Sequence, residues 1–386
     1  MTKKNGVASS HPFHSSFAAA EAAALLTIDL AALRSNYAAL ANRAAPAECG
    51  AVVKADAYGL GLEPVATTLH KAGCQTFFVA TLAEARELRA TVPGATVYVL
   101  DGLLPETESL FAAEGLRPVL NSLPEIADWS AYCAGQGKTL KAALHIDSGM
   151  NRLGLSGDDI GILARDPALL SSFDISLVMS HLACADAPDH PKNRQQLKLF
   201  ETLRKLLPKA TASLANSAGI FHGPDYLFDL VRPGIALYGG EAVLDRPNPM
   251  NPVIRLEGRI AQIREAQAGE TVGYGAGHHL SRDTRIATVP VGYADGFIRL
   301  LGASDEHPGL TAYIGDHPAP LLGRVSMDLI TIDVTDIPSE HTLRGTFVEL
   351  IGPHVTIDDI ATRAQTIGYE VPTSLGRRYH RVYKGA

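Results

Sequence analysis

The sequence has few cysteines, and their spacing excludes the usual metal-binding and disulfide patterns. Cys49, Cys74, Cys133 and Cys184 form no CxxC pair and no His-rich cluster. Zinc sites and disulfide frameworks depend on such spacings. We therefore expect no metal site and reduced thiols, which favours a cytoplasmic location.

Long apolar runs and basic blocks are also missing. No segment approaches the ~20 consecutive apolar residues that span a bilayer, and the formal net charge is −7. Without a block of Lys and Arg, the surface offers no electrostatic site for phosphate backbones or anionic lipid. We expect neither nucleic acid nor a membrane as a partner.

The amino-terminal segment is Ala-rich between residues 17 and 28, as the apolar part of a secretory signal can be. Glu21 and Asp29 argue against that interpretation, and no convincing cleavage site follows. We expect no export signal and interpret residues 1–22 as a flexible tail.

From Ile28 onward, short β-branched runs alternate with helical periodicity, a pattern typical of a parallel sheet covered by helices. Amphipathic stretches such as Leu82–Ala90, Leu123–Tyr132 and Asn193–Leu207 are long enough to be crossover helices. Eight runs are predicted strands: Gly50–Lys54, Thr76–Thr81, Thr96–Asp101, Arg117–Asn121, Ala142–Asp147, Ser176–His181, Ala212–Asn216 and Val231–Tyr238. The predicted fold is α/β, a (β/α)8 TIM-type barrel over residues 23–245.

Residues 246–386 are predicted to form a second, mostly β domain. After the Pro- and Asn-rich linker Arg246–Pro252, helical periodicity is scarce until Ile357–Ala364. Gly and Asp turns separate the predicted strand regions, which are Ile260–Arg264, Arg285–Val291, Ala319–Val334 and Thr346–Ile351.

Reacting groups in a barrel gather at the carboxyl ends of the strands. Lys54 ends the first predicted strand, His181 ends the sixth, and Arg232 lies in the eighth. Desolvation there disfavours the charged ammonium form of a lysine. The neutral amine is the form that reacts with an aldehyde cofactor to give a Schiff base, so this environment suits Schiff-base chemistry. A lone lysine at a strand end is more often a solvated loop residue, so the assignment depends on its neighbours.

The neighbours are small and polar. Asn216, Ser217 and Gly219 follow the seventh predicted strand, and Gly234 belongs to the eighth. The loops after these two strands often hold phosphate in barrels, because small residues let backbone N–H groups approach an anion. Such a cluster alone would be interpreted as a plain turn.

Taken together and in order, these motifs resemble the alanine racemase family of pyridoxal 5'-phosphate (PLP) fold-type III enzymes, from about Leu26 to Tyr383. The most specific match is Ala51-Val-Val-Lys-Ala-Asp-Ala-Tyr-Gly-Leu-Gly61, which is similar to the family's cofactor-lysine signature. The similarity continues through Asp147-Ser-Gly-Met-Asn-Arg-Leu-Gly154, Ser180-His-Leu-Ala183, Asn216-Ser-Ala218, Val231-Arg-Pro-Gly-Ile-Ala-Leu-Tyr-Gly239, Gly273-Tyr-Gly275, Val291-Gly-Tyr-Ala-Asp-Gly296 and Gly323-Arg-Val-Ser-Met-Asp328.

The resemblance implies that L- and D-alanine are interconverted by two bases on opposite faces of the cofactor. Lys54 would be the Schiff-base lysine and one base, and Tyr274 of the other subunit would be the second. Because a tyrosine with the ordinary pKa near 10 is a poor base, the resemblance also assigns a supporting polar chain through His181 and Arg232. A homodimer with shared active sites is therefore expected.

Further roles follow from the same resemblance. Arg152 would hold the phenolic oxygen of the cofactor and the substrate carboxylate, with help from the Met327 N–H and with Tyr293 near the substrate. The other expected cofactor-binding residues are Tyr58, His181, Asn216, Ser217, Arg232, Gly234 and Ile235. Of these, Tyr58, Ser217, Gly234 and Ile235 would hold the phosphate, and Arg232 would face the pyridine nitrogen. The expected entrance residues are Asp186, Arg299 and Arg324.

The sequence departs from the family pattern at two positions. His145 stands where many relatives carry a carbamylated lysine that steadies the arginine; either a ring nitrogen replaces that anion, or Arg152 is held by something else, such as bound chloride. Arg377 stands where some relatives place a phosphate-binding tyrosine. Arg377 or Tyr379 could take that role, or neither.

Three other functions share parts of the pattern. A racemase of broader specificity, or one for serine or lysine, would carry every motif, because pocket size distinguishes it. A non-catalytic PLP-binding protein would lack the β domain and a counterpart of Tyr274. A PLP-dependent decarboxylase of related architecture fits the Gly273-Tyr-Gly275 and Gly323–Asp328 motifs less well. A biosynthetic role toward peptidoglycan and a catabolic role both remain open.

Overall fold

The computed structural model describes residues 19–385, which divide into two compact units. One unit is residues 29–253, and the other combines residues 19–28 with residues 254–384. Of the predicted tail, residues 1–22, the first 18 residues lie outside the described part of the chain. Within the described part of the chain, none of the helices has both the length and the apolar character needed to cross a membrane.

The first strand, β1 (Ala24–Asp29), belongs to the sheet of the second unit. Ala24 to Ile28 pair antiparallel with residues 254–258, the first strand after the barrel. The predicted barrel domain began at residue 23, whereas the structure places this strand in the β unit. The physical reason is that an apolar run indicates a strand but carries no information about its hydrogen-bonding partner.

The unit of residues 29–253 is the predicted barrel. Its strands are β2 (Glu48–Cys49), β3 (Ala51–Val52), β4 (Thr76–Val79), β5 (Thr96–Val99), β6 (Arg117–Leu120), β7 (Lys141–His145), β8 (Asp174–Met179), β9 (Ala212–Ser213) and β10 (Leu230–Val231). Strands β3 to β9 form one parallel sheet in chain order. Strand β10 pairs in parallel with β2, and a parallel bridge joins Asn216 to Arg232. The sheet thus closes into a barrel, in which β2 and β3 together form one strand position interrupted at Gly50. The (β/α)8 prediction is confirmed.

Helices follow most of the strands, as the amphipathic stretches predict. The barrel helices are Leu30–Ala44, Leu62–Lys71, Leu82–Thr91, Glu108–Glu114, Leu123–Gln136, Gly157–Arg165 and Pro191–Arg204. Their starts are set by local side chains; the Thr81 hydroxyl, for example, accepts the Glu84 N–H in a capping box.

The barrel core is an apolar cluster that draws side chains from β4 to β8 and from β10. Its buried members are Phe78, Tyr98, Val119, Ala143, Leu177, Met179 and Leu230. Burial of each large side chain contributes roughly 1.5–3 kcal/mol. The core therefore provides a stable support for the strand ends that carry the site.

One predicted strand is shorter than expected. The run Val231–Tyr238 was predicted as a strand, but β10 ends at Val231 and Ile235–Tyr238 forms a 3-10 helix. Pro233 has no N–H for a further ladder bond, although its carbonyl still accepts the Val52 N–H at 2.9 Å. The chain turns here, and this turn forms part of the site.

The other unit is mostly β, as predicted. Its sheet has the order β12-β13-β16-β15-β14-β17-β11-β1-β18. The strands are β11 (Ile254–Arg259), β12 (Gln262–Ala266), β13 (Thr284–Val289), β14 (Thr311–Ile314), β15 (His317–Leu322), β16 (Ile330–Asp333), β17 (Phe347–Ile351) and β18 (His380–Lys384). The predicted strand region Ala319–Val334 is two strands, and the loop between them carries the Gly323–Asp328 motif. The short helices Ile357–Arg363 and Glu370–Ser374 precede β18.

Candidate active site

Lys54 lies at the carboxyl end of the first barrel strand, directly before a left-handed turn. The Val53 N–H makes the last ladder bond, to Phe78 O at 2.9 Å. Four consecutive residues that are not glycine, Ala55 to Tyr58, then have φ between 52° and 58°. Each left-handed residue costs roughly 1–2 kcal/mol, and strain of this kind is concentrated at functional sites.

Glu84 stabilises this turn, and the sequence analysis did not single it out. Its carboxylate accepts the N–H of Ala55 at 2.6 Å and the N–H of Ala80 at 2.8 Å. The same carboxylate completes the capping box of the helix Leu82–Thr91. The Thr-x-x-Glu pattern predicts the cap, but only the fold shows that Glu84 also fixes the backbone next to Lys54.

The residues expected at a phosphate meet around Gly234. Ser217 Oγ accepts the N–H of Gly234 at 2.8 Å and that of Ala236 at 3.3 Å. A Cβ on Gly234 would collide with the Tyr58 hydroxyl. The Tyr58 ring stacks on Tyr238 with centroids 4.5 Å apart. Because residue 234 has no side chain, the Tyr58 hydroxyl lies against the backbone segment whose two N–H groups donate to Ser217.

This arrangement fits the phosphate of PLP. Phosphate is bound by backbone N–H and hydroxyl donors at positions where the chain can approach closely. Ile235, buried and next to Gly234, begins the 3-10 helix. Asn216 shapes the facing turn, because its Oδ1 accepts the Gly219 N–H at 3.0 Å.

Arg232 is fully inside the barrel unit and is held by three acceptors. It donates to Ser213 Oγ, to Ser180 O at 2.6 Å and to Leu214 O at 3.4 Å. Burial lowers the pKa of Arg232 to about 9. The guanidinium therefore remains protonated at neutral pH.

The imidazole of His181 is kept neutral by its surroundings. Desolvation in the barrel mouth, together with the charges of Arg232, Arg152 and Lys54, lowers the pKa of His181 to about 3. The backbone carbonyl of His181 accepts Gln196 Nε2 at 2.9 Å. The structure thus brings His181, Arg232, Arg152 and Lys54 into one electrostatically coupled group.

Arg152 lies in a loop that is organised by one carboxylate. Asp147 Oδ1 accepts the N–H groups of Gly149, Met150 and Asn151 at 2.8, 2.8 and 3.2 Å. The Arg152 side chain is exposed. An exposed guanidinium on an ordered loop at the strand ends is available to an anionic ligand.

His145 is partly buried and lies beside Asn121 at the end of β7. Its Nδ1 lies 2.8 Å from Asn121 Oδ1. Burial, followed by the charge of Arg232, lowers the pKa of His145 to about 4, and Arg152 adds to this effect. His145 is therefore close to Arg152. This proximity is what the hydrogen-bonding role predicted for the His145 ring requires.

The other expected site residues lie in the β unit, on loops that meet at the segment 323–329. The Tyr293 N–H donates to Ser326 O at 3.0 Å, and Arg324 Nη1 lies 3.1 Å from the position that a Cβ on Gly275 would take. The side chains of Tyr274, Tyr293 and Met327 are 70%, 42% and 53% exposed. All three therefore reach the surface of this unit.

The remaining expected residues are distributed between the units. Arg299 and Arg324 lie in the β unit, where Ala303 N–H donates to Gly323 O at 2.7 Å and joins their two segments. Asp186 is in the barrel unit and is exposed. Of the two candidates near the carboxyl terminus, Arg377 is exposed whereas Tyr379 is 2% exposed, which makes Arg377 the more accessible to a ligand.

Comparison with known families matches both units. Residues 28–242 match the family model described as "Alanine racemase, N-terminal domain", and residues 253–383 match "Alanine racemase, C-terminal domain". The chain belongs to the alanine racemase family. Its two matched regions correspond closely to the barrel and β units, and β1 is the main exception.

Named relatives in this family are similar along nearly their whole length. Two proteins of Agrobacterium fabrum, "Alanine racemase, biosynthetic" and "Alanine racemase, catabolic", are 49% and 48% identical. The alignments cover 93% and 95% of this chain and 93% of each relative. Alanine racemases named for opposite metabolic roles are thus equally similar to it.

A solved alanine racemase has the same fold. The crystal structure of the Bartonella henselae enzyme, which has covalently bound pyridoxal phosphate, superposes with a TM-score of 0.89 at 41% identity. The match covers 94% of this chain and 99% of that one. The two chains therefore share one fold over nearly their whole lengths.

Proposed function

We propose that this protein is a PLP-dependent alanine racemase that interconverts L- and D-alanine with two bases. The observation that carries the proposal is the position of Lys54 directly after the first barrel strand, at the start of the turn whose Tyr58 hydroxyl lies against Gly234 and its bond to Ser217. Membership of the alanine racemase family supports it. The substrate is a small amino acid.

Residues of the barrel unit would hold the cofactor. Lys54 would hold its aldehyde covalently, and Tyr58, Ser217, Gly234 and Ile235 would hold its phosphate. When bound, PLP withdraws electron density from the substrate Cα and so acidifies its proton. Asn216 and His181 complete the binding site from the strand ends.

Racemisation needs a proton acceptor on one face of the substrate and a proton donor on the other. Lys54 Nζ serves one face, and the Tyr274 hydroxyl of a second copy of the chain serves the other. The 70% exposure of Tyr274 supports this assignment, because a phenol that serves a neighbouring subunit must project from its own. The functional form is then a homodimer with two shared sites.

Arg232 and His181 adjust the chemistry. The Arg232 guanidinium keeps its proton and would not transfer it to the cofactor ring. A ring that is not protonated withdraws fewer electrons, which favours racemisation over transamination. The neutral His181 next to it can relay a hydrogen bond toward the catalytic phenol. A neutral imidazole both donates and accepts, which suits it to such a polar chain.

The substrate carboxylate would be bound by Arg152 and by the Met327 N–H of the second copy of the chain, with Tyr293 next to the substrate. Within the described residues, the Met327 N–H makes no hydrogen bond and is free to donate.

The cysteines are free thiols, and Cys49, Cys74 and Cys133 are buried. This state supports the proposal that the enzyme works in the cytoplasm.

The test is to purify the protein and follow loss of optical activity with L-alanine, L-serine and L-lysine. Lys54→Ala should lose the yellow absorbance of covalently bound cofactor, whereas the surface control Lys71→Ala should keep it. Tyr274→Phe should lower kcat by about 10²- to 10⁴-fold with the absorbance intact, and Tyr313→Phe in the same unit should not. Equal activity in all variants would contradict the assignment.

Two further measurements address the alternatives. Release of CO2 without stereoinversion would identify a decarboxylase, and faster inversion of serine or lysine than of alanine would identify a racemase of other specificity. A diluted monomer with undiminished turnover would contradict the shared site.

A further inference from the structure

Arg378 joins two aspartates that are far from it in sequence. Its Nε donates to Asp295 Oδ1 at 2.5 Å, and its Nη1 donates to Asp328 Oδ1 at 2.7 Å. The Asp295 side chain is 7% exposed, whereas those of Asp328 and Arg378 are about half exposed. The planar guanidinium suits this geometry, because it presents donors in fixed directions to two carboxylates at once.

The two aspartates belong to the loops that carry the proposed substrate contacts. Asp295 ends the short turn that begins at Tyr293, and its Oδ2 accepts the Gly292 N–H at 2.9 Å. Asp328 directly follows Met327. The Arg378 bridge therefore links the Tyr293 loop to the Met327 loop.

The loops also contact each other through their backbones. The N–H groups of Tyr293 and Ala294 donate to Ser326 O and Met327 O, both at 3.0 Å. A Cβ on Gly292 would collide with Met327 O, so this approach requires glycine. Any shift of one loop would therefore move the other.

A third segment, which carries Arg378 itself, completes the arrangement. The Gly376 N–H donates to Asp295 O at 2.7 Å. Because Tyr293 and Met327 have exposed side chains, packing of these side chains does little to fix their loops. Their positions depend on backbone hydrogen bonds and on the charged bridge.

We propose that Arg378 is a positioning residue that holds Tyr293 and the Met327 N–H in the geometry that binds the substrate carboxylate. The inference rests on the proposed function, because it assigns Tyr293 and Met327 to the substrate. Arg378 does not contact the reacting atoms. It acts through Asp295 and Asp328.

The chain offers a matched control for this bridge. Arg282 also joins two aspartates in the β unit, with Nη2 2.6 Å from Asp336 Oδ2 and 3.3 Å from Asp333 Oδ2. Its side chain is 49% exposed, against 53% for Arg378. The two bridges therefore resemble each other in charge and exposure but hold different loops.

The experiment compares steady-state kinetics of wild type, Arg378→Gln and Arg282→Gln as holoenzymes. For Arg378→Gln, the KM for alanine should rise about tenfold or more while kcat falls less than about threefold. The inhibition constant of propionate, a carboxylate without an amine, should rise in parallel. Arg282→Gln should leave both constants within about twofold, because surface ion pairs contribute little.

Asp328→Asn is the second variant, since it weakens only the exposed half of the bridge. It should raise KM in the same direction and by less, even if Arg378→Gln folds poorly. Unchanged KM and propionate inhibition in both variants, or equal changes in Arg282→Gln, would overturn the inference. A wild-type protein without racemase activity would instead refute the proposed function.

Discussion

His145 Nδ1 donates a hydrogen bond to Asn121 Oδ1 over 2.8 Å. The direction is set by Asn121, whose Nδ2 donates to Val119 O at 2.8 Å and so leaves Oδ1 as the acceptor. With its proton on Nδ1 and its pKa lowered to about 4, the ring is neutral and keeps a lone pair on Nε2. His145 is thus suited to accept a hydrogen bond from the nearby Arg152.

Replacing either partner should weaken substrate binding. His145→Phe removes the acceptor, and Asn121→Ala removes the group that selects the tautomer. A hydrogen bond to a charged group contributes about 1.5–3 kcal/mol, so we expect the KM for alanine to rise about tenfold or more in each variant. Because both act through one acceptor, the double variant should be no worse than His145→Phe; additive losses would contradict this.

Stability should decrease in mild acid because of His181 and His145. Their folded pKa values, about 3 and about 4, lie below the unfolded value near 6.5. Between those limits the unfolded chain binds more protons, so the free energy of unfolding falls as the pH is lowered from about 6.5 toward 4. Urea unfolding at several pH values measures this.

The histidine variants isolate that contribution from the carboxylates. The slope of the free energy of unfolding against pH, between pH 4.5 and 6.5, gives the difference in bound protons between the unfolded and folded states. His181→Gln should reduce this difference by up to one proton. The same substitution at the exposed His307 should leave it unchanged. If both variants kept the wild-type slope, His181 would not be the cause.

A methyl group at residue 234 should impair cofactor binding. In Gly234→Ala the new Cβ would collide with the Tyr58 hydroxyl, and we expect the Kd for PLP to rise about tenfold or more. Gly135→Ala, on a helix with open space around it, is the control and should bind PLP normally.

The left-handed turn after Lys54 should become more stable with glycine. Ala55 is exposed and has φ of 53°, so Ala55→Gly relieves steric strain but adds entropy to the unfolded chain. We expect the free energy of unfolding to rise by about 0.5–1 kcal/mol. The same change at Ala39, exposed within the helix Leu30–Ala44, should lower it by a similar amount.

The strands, and the candidate site residues at their carboxyl ends, could be predicted from the sequence because their signals are local. β-Branched runs predicted the eight strands, and polar residues after them pointed to Lys54, His181 and Asn216. The turn at Ala55–Tyr58 could not be predicted, because alanine and tyrosine individually disfavour that conformation. Only contacts of the folded chain hold it there.

The missed residues act across the fold. Glu84 reaches Ala55, and Asn121 reaches His145, in both cases between neighbouring strands of the barrel whose partner residues are 29 and 24 positions apart in the chain. Their own sequence signals indicate a helix cap and a strand end, so nothing local suggests a role in the site. The end of β10 was missed for a different reason: an apolar run hides the change from strand to 3-10 helix at Pro233.

The place of β1 in the sheet has a consequence for biogenesis. It lies between β11 and β18, yet the whole barrel unit separates it from both in the chain. On the ribosome, β1 emerges first and must remain unpaired until the barrel has been translated, on the order of tens of seconds at typical rates. A fragment that begins at Ile254 would therefore lack an interior strand and expose two unpaired edges to aggregation.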